Sequence, residues 1–235
     1  VLAFNDDPKK KEFYAKRMED HAAADDIEPK WLAALADKIF EGLPNKKAKQ
    51  FAASFYPAMK VGLDLEQVKK DFLIFVLQEN LKYLDACVYE KENHPDVAAS
   101  IKQTKEAIEI CIDYQKGTAS REDAGTAAWS AVSAEPPQSA VWSAWSGWSA
   151  WSAARSAAKS AWAAAGSENA PADSAVNSAD SAVKSAWSVW SAEPATESLD
   201  EAARLAAYES YAEKLLELLR GNEDCEPGCT QESGR

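Results

Sequence analysis

The chain has 235 residues, enough for one large or two small domains with a real core. Its formal net charge of −12 at pH 7 argues against nucleic acid, whose phosphates are bound by Lys and Arg, and against an anionic membrane surface. Glycine is scarce and the prolines fall between periodic segments, so the expected fold class is all-α.

Asp7-Pro8 has the form of a helix start, and Tyr14, Met18, His21, Ala22 and Asp25 follow at helical spacing. Pro29 opens a short helix with Trp31, Leu32, Leu35, Ile39 and Phe40 on one face and Gly42 past its end. Asn45 caps a third helix that Pro57 stops. Asp64 with Gln67 is a capping-box signature for a long apolar helix running to Lys91. After the break at Asn93-His94-Pro95, Asp96 to Lys116 is helical, with Val97, Ile101, Ile108, Cys111 and Ile112 inward and Gly117 at its end. Ser120 with Asp123 restarts the chain, and Ser198 with Glu201 starts a closing helix that Gly221 ends.

Between these lies an array rich in Ala, Ser and Trp. Serines at 139, 143, 146, 149, 152, 156 and 160, then at 174, 178, 181, 185, 188 and 191, are separated only by threes and fours, the spacing of one helix side. Ala rows let helices approach closely, and Trp supplies buried area that Ala lacks. A serine hydroxyl can return to a carbonyl one turn back, so the expected architecture is an N-terminal helical bundle followed by a close-packed antiparallel array. The expected organisation is a helical region over 1–117, the array with its closing helix over 118–221, and an acidic disordered tail over 222–235, the first two sharing one core.

Two readings of the tryptophans stand side by side: core wedges, or an exposed binding surface. In WSAWSGWSAW each Trp turns about −60° from the last, at roughly 100° per residue, so Trp142 and Trp151 end on nearly opposite sides and no single aromatic strip runs through them. Some rings must therefore meet another region, solvent or a partner. Trp142, Trp145, Trp148, Trp151, Trp187 and Trp190 are the candidate binding residues. This run looks like the tryptophan ladder of thrombospondin type 1 repeats, but those modules need cysteines and arginines after the ladder, and no cysteine lies near it here.

Chemistry-bearing motifs are few. His21 and Asp25 stand one helical turn apart, too few ligands for a metal site, and with Trp31 they are candidates for lining a pocket between the N-terminal helices and the array. Cys225 and Cys229 are spaced too widely for a redox CxxC pair. Phosphate-loop, GxSxG and HExxH motifs are missing, so no catalytic residue, metal or cofactor is expected and an enzyme is not expected. The chain opens Val-Leu-Ala-Phe without Met, consistent with missing or processed first residues. It shows neither a signal peptide nor a bilayer span, and a cytoplasmic location is expected.

RMEDHAAADDI, PKWLAALADKIFEGLPNKKAKQF, VGLDLEQV and the closing YESYAEKLLELLR resemble a family of uncharacterised bacterial and phage proteins that end in an Ala/Trp-rich helical array. DVAASIKQTKEAIEICIDYQKGTASRED resembles the entry into arrays of proteins labelled putative immunity proteins. The resemblance implies a helical, non-secreted protein and no established activity. Relatives carry a Gly/Cys/His-containing loop where Ile27 and Glu28 are joined here, and a Cα separation there well above ~3.8 Å would mark an omitted loop. Three functions follow as expectations: a helical module that neutralises a protein target, a small-molecule binder, or a self-assembling protein using its Ser/Ala rows. A protein partner is expected, and the oligomeric state is left open.

Overall fold

The computed structural model describes residues 29–60, 62–87, 95–133, 145–167, 169–189 and 197–221, with the side chains of 145–147, 186–189 and 197–200 excepted. The expected first helix, the Ile27–Glu28 junction, His94 and the tail 222–235 lie outside these residues. Within them the fold is all-α, with no strand. In chain order the helices are α1 (Lys30–Gly42), α2 (Asn45–Ala58), α3 (Leu65–Ala86), α4 (Pro95–Lys116), α5 (Arg121–Ser133), α6 (Trp145–Gly166), α7 (Ala170–Val189) and α8 (Glu197–Arg220).

The helix starts are chemically explicit. Asp64 Oδ1 accepts from the Glu66 and Gln67 amides at 3.1 Å each, while the Gln67 side chain turns forward to Asp71 at 2.9 Å, leaving half a capping box. The Ser120 hydroxyl accepts from the Asp123 amide at 3.1 Å and donates to the Asp123 carboxylate at 2.6 Å. Gly117 ends α4 at φ 79°, a left-handed turn that releases the chain toward α5.

Four boundaries differ from the sequence expectation, the first being that α3 ends at Ala86 with Cys87 as its extended cap instead of running to Lys91. Asn45 is the first residue of α2 and Pro44 its cap. Pro57 lies inside the last turn of α2, where its missing N–H removes one bond at the helix end. Gly42 closes α1 rather than following it, and its role is close packing. A Cβ there would sit 2.4 Å from the Tyr208 ring, so glycine is what lets α8 lie against α1.

At the centre α6 and α7 form an antiparallel pair, the most extensive helix contact in the molecule. α4 and α5 cover α6, α1 and α8 cover α7, α2 packs on α1 and α8, and α3 crosses the central pair. One core joins α1, α2, α3, α7 and α8, with Leu32, Leu35, Ile39, Phe55, Phe72, Val76, Tyr211, Leu215 and Leu219. A second joins α4, α5 and α6 through Ile108, Cys111, Ala128, Ala157 and Ala161, with Leu73 and Leu77 of α3. Each core draws residues from both sides of position 117.

The serine rows face inward, as the spacing predicts, but their bonds run between helices. Asn80 Nδ2 donates to Ser160 Oγ at 2.9 Å, and Ser160 Oγ meets the Ser174 carbonyl at 2.9 Å and its hydroxyl at 2.8 Å. Ser181 donates to the Ala153 carbonyl at 3.1 Å and Ser185 to the Tyr83 carbonyl at 2.6 Å. Close approach of the Ala rows brings a neighbouring helix's carbonyls as near as the helix's own, and the cross bonds fix register as well as satisfying the hydroxyls. Ser149 and Ser178 hydroxyls have no hydrogen-bond partner in this arrangement.

A tryptophan and cation face on the α6 helix

One helix face explains where the tryptophans go. At roughly 100° per residue, Trp148, Trp151, Arg155, Lys159 and Trp162 fall within an arc of about 80° on α6. The strict three-residue step that turns the ladder around the helix ends at Trp151. The steps of four, four and three that follow return each residue to the same side. The opposite side carries Ala150, Ala153, Ala154, Ala157 and Ala161, all buried, so packing of the alanines sets which way this face looks.

The face is built of ring pairs with cations between them. Trp148 and Trp151 have centroids 5.1 Å apart, and the Arg155 guanidinium lies 5.5 Å from the Trp151 ring. Lys159 follows one turn on, then Trp162, whose ring pairs with Trp129 of α5 at 5.7 Å. Trp148, Trp129 and Trp162 are 38%, 55% and 48% exposed, whereas Trp151 is buried beneath Arg155 as the floor of the face. Lys184 of α7 borders it, donating to Ser156 Oγ at 2.7 Å.

Trp129 is held in place from the far end of the helix. Gln115 Nε2 donates to the Ala164 carbonyl at 2.9 Å, and Arg121 donates to the Ala165 and Gly166 carbonyls at 3.1 and 3.2 Å. These side chains satisfy the otherwise unpaired carbonyls ending α6 and pin the start of α5 beside them. α5 then runs back along α6 and brings Trp129 to Trp162.

Surface cations of the described residues divide into paired and unpaired, and the face is distinguished by clustering its cations between tryptophan rings. Lys38, Lys47, Lys82, Lys105 and Lys214 each take a carboxylate partner. Arg155 and Lys159 pair with none among the described residues. Burial lowers the pKa of Lys184, Lys159 and Arg155 push it in the same direction, and Asp180 opposes them. Asp180 is itself 3.7 Å from Arg204. Three cations thus crowd one strip of a strongly acidic chain.

The other candidates separate. Trp31 is 6% exposed and packed in the α1–α2–α8 core, with Lys69 Nζ 5.9 Å from its ring centroid. His21, Asp25, Trp142 and Trp190 lie outside the described residues, as do the side chains of Trp145 and Trp187. Trp129, Arg155, Lys159, Trp162 and Lys184 were not among the sequence candidates. Continuing the 100° rotation past Trp151 finds the α6 members, while Trp129 and Lys184 need the tertiary fold.

Elsewhere, Cys111 is a thiol buried in the core. Cys111 contacts the Ala161 and Ala124 carbonyls at 3.5 and 3.7 Å, and burial pushes its thiol up to about 12. Among the described residues no three His, Cys, Asp or Glu side chains gather as a metal would require, and no helix is long and apolar enough to cross a membrane. No protein-family model, curated protein or solved structure matches the chain.

Proposed function

We propose that this protein is a helical binding module that neutralises a protein target by surface contact, as an immunity-like or phage-encoded inhibitor would. The observation that carries the reading is the exposure of Trp129, Trp148 and Trp162 along one face, set around two cations with no carboxylate partner. Half-exposed tryptophan is costly to leave in water and is enriched, with arginine, at the energetic centres of protein interfaces. The resemblance to array proteins labelled as immunity proteins supports the same reading.

The self-assembly reading loses its surface, since the described Ser and Ala rows are consumed between α3, α6 and α7. The pocket reading rests on His21 and Asp25, outside the described residues, together with Trp31, which is buried in the core.

Native mass spectrometry of the full chain purified from its own host tests the proposal. The expected result is a partner-bearing mass that disappears in the Trp129→Ala/Trp162→Ala chain. A partner retained by that variant, or a bare monomer from a host that makes the target, would overturn it.

A further inference from the structure

Resting on the protein-contact reading, we infer that the segment occupying the α6 face is acidic, with two carboxylates one helical turn apart on Arg155 and Lys159 and apolar side chains against the tryptophans at either end. Arg155 and Lys159 are four residues apart, about 6 Å along the axis. Two carboxylates at the same spacing on a partner helix, or two residues apart on an extended strand, meet that separation. Trp148 and Trp162 bracket the cations over about 21 Å, the length of a short helix laid along α6.

Charge complementarity chooses this occupant. Lys184, carrying its hydrogen bond to Ser156, extends the positive strip toward α7, and Asp180 beyond it is engaged by Arg204. A basic segment would face three cations at the centre of the contact. A phosphodiester strand would gain little, because two exposed cations release few counterions and the remaining surface of a −12 chain repels it beyond the strip. A short acidic segment needs only the strip itself. Its apolar residues can use the Trp129–Trp162 pair, where the rings are tilted and both remain open on one side.

The test uses the full chain and four probes. One is a labelled helical peptide of about 20 residues with two glutamates four positions apart, flanked by leucines. Its Gln and Lys counterparts and a single-stranded oligothymidylate complete the set. Binding is followed by anisotropy and tryptophan emission at low salt. The expected result is that the Glu peptide binds at least about tenfold more tightly than the Gln and Lys peptides, that salt erodes the difference, and that Arg155→Glu/Lys159→Glu removes it without altering the far-UV spectrum. Equal binding of the Glu and Gln peptides, lost in Trp129→Ala/Trp162→Ala, would overturn the acidic assignment and leave the protein-contact reading standing. Tighter binding of the oligothymidylate, or no binding by any peptide, would overturn it too. So would a dimer of the chain that the charge reversal dissolves. The mass-spectrometric experiment decides the broader reading separately.

Discussion

The core under α1, α2 and α8 and the seam between α6 and α7 reach burial by opposite means. In the first, Phe, Leu, Ile and Tyr side chains fill wide spaces between helices, each contributing roughly 1.5–3 kcal/mol on burial. In the second there is almost no space to fill. Small residues such as Ala153, Ser160, Ser174 and Ser181 bring the backbones together, each burying little apolar surface, about 0.8 kcal/mol per carbon on the usual scale. The seam compensates with length, with dispersion between close backbones, and with hydroxyl bonds that define a register. Bulk makes a core tolerant of small adjustments, whereas contact at alanine distance makes it intolerant of any added atom.

Truncation and enlargement should therefore hurt opposite regions. Phe72→Ala, fully buried between α3 and α8, is expected to cost about 3–5 kcal/mol in urea unfolding, the largest effect of any single substitution here. A loss below about 1 kcal/mol would mean that the large-residue core does not hold the fold.

Alkali should act next, and on the same region, because residues 145–189 contain no tyrosine. Burial, reinforced by Glu79, raises Tyr83 to about 12; burial, partly opposed by Arg204, raises Tyr208 to about 12. Unfolded phenols ionise near 10.0 while the folded ones hold their protons, so the folded state binds more protons in between. Stability from these groups is complete below pH 10 and falls as pH rises toward 12, by roughly 1.4 kcal/mol per pH unit for each tyrosine. Phenolate absorbance that develops well below the unfolding transition would contradict the burial of both rings.

Enlarging the seam comes third. Ser174→Leu is expected to destabilise by about 1–3 kcal/mol, although leucine is more apolar, because Ser160 Oγ stands 2.8 Å from the Ser174 hydroxyl and leaves no room. A stabilised variant would show that the pair is looser than its small residues imply.

The smallest effect belongs to Tyr211→Phe. The hydroxyl is buried within reach of Ser178 and Tyr83 without a well-formed hydrogen bond to either, and burial holds its pKa well above the ordinary value. Removing it should leave the melting temperature level or slightly raised, since no well-formed bond is lost and one desolvated hydroxyl disappears. A clear drop in calorimetry would reveal a bond to Ser178 in solution.

Much of this was legible in the residues themselves. The inward faces of α1 and α4 follow the 3.6-residue period, and Trp31, Leu35, Ile39, Ile101 and Ile108 are all buried as that period requires. Asp64 and Ser120 announce helix starts because an oxygen two or three residues before free amides has an obvious use. The direction of the serine bonds was not legible, since a hydroxyl has both its own and a neighbour's carbonyl within reach and only the interhelical distance decides. The pairing of Trp129 with Trp162 was hidden for a similar reason: it depends on Arg121 anchoring α5 at the end of α6. Period assigns a residue to a side of its own helix, but not to the residue it meets.

Phe72 and Leu73 are consecutive in α3 yet belong to different cores. A single rigid rod therefore supplies a wall to each, and neither can open without stripping the rod of half its cover. The consequence is cooperativity. Melting should proceed in one step across the described helices, slow-exchanging amides should appear in α3, α6 and α7 together, and a chain cut near Gly117 should yield two fragments that need each other to fold.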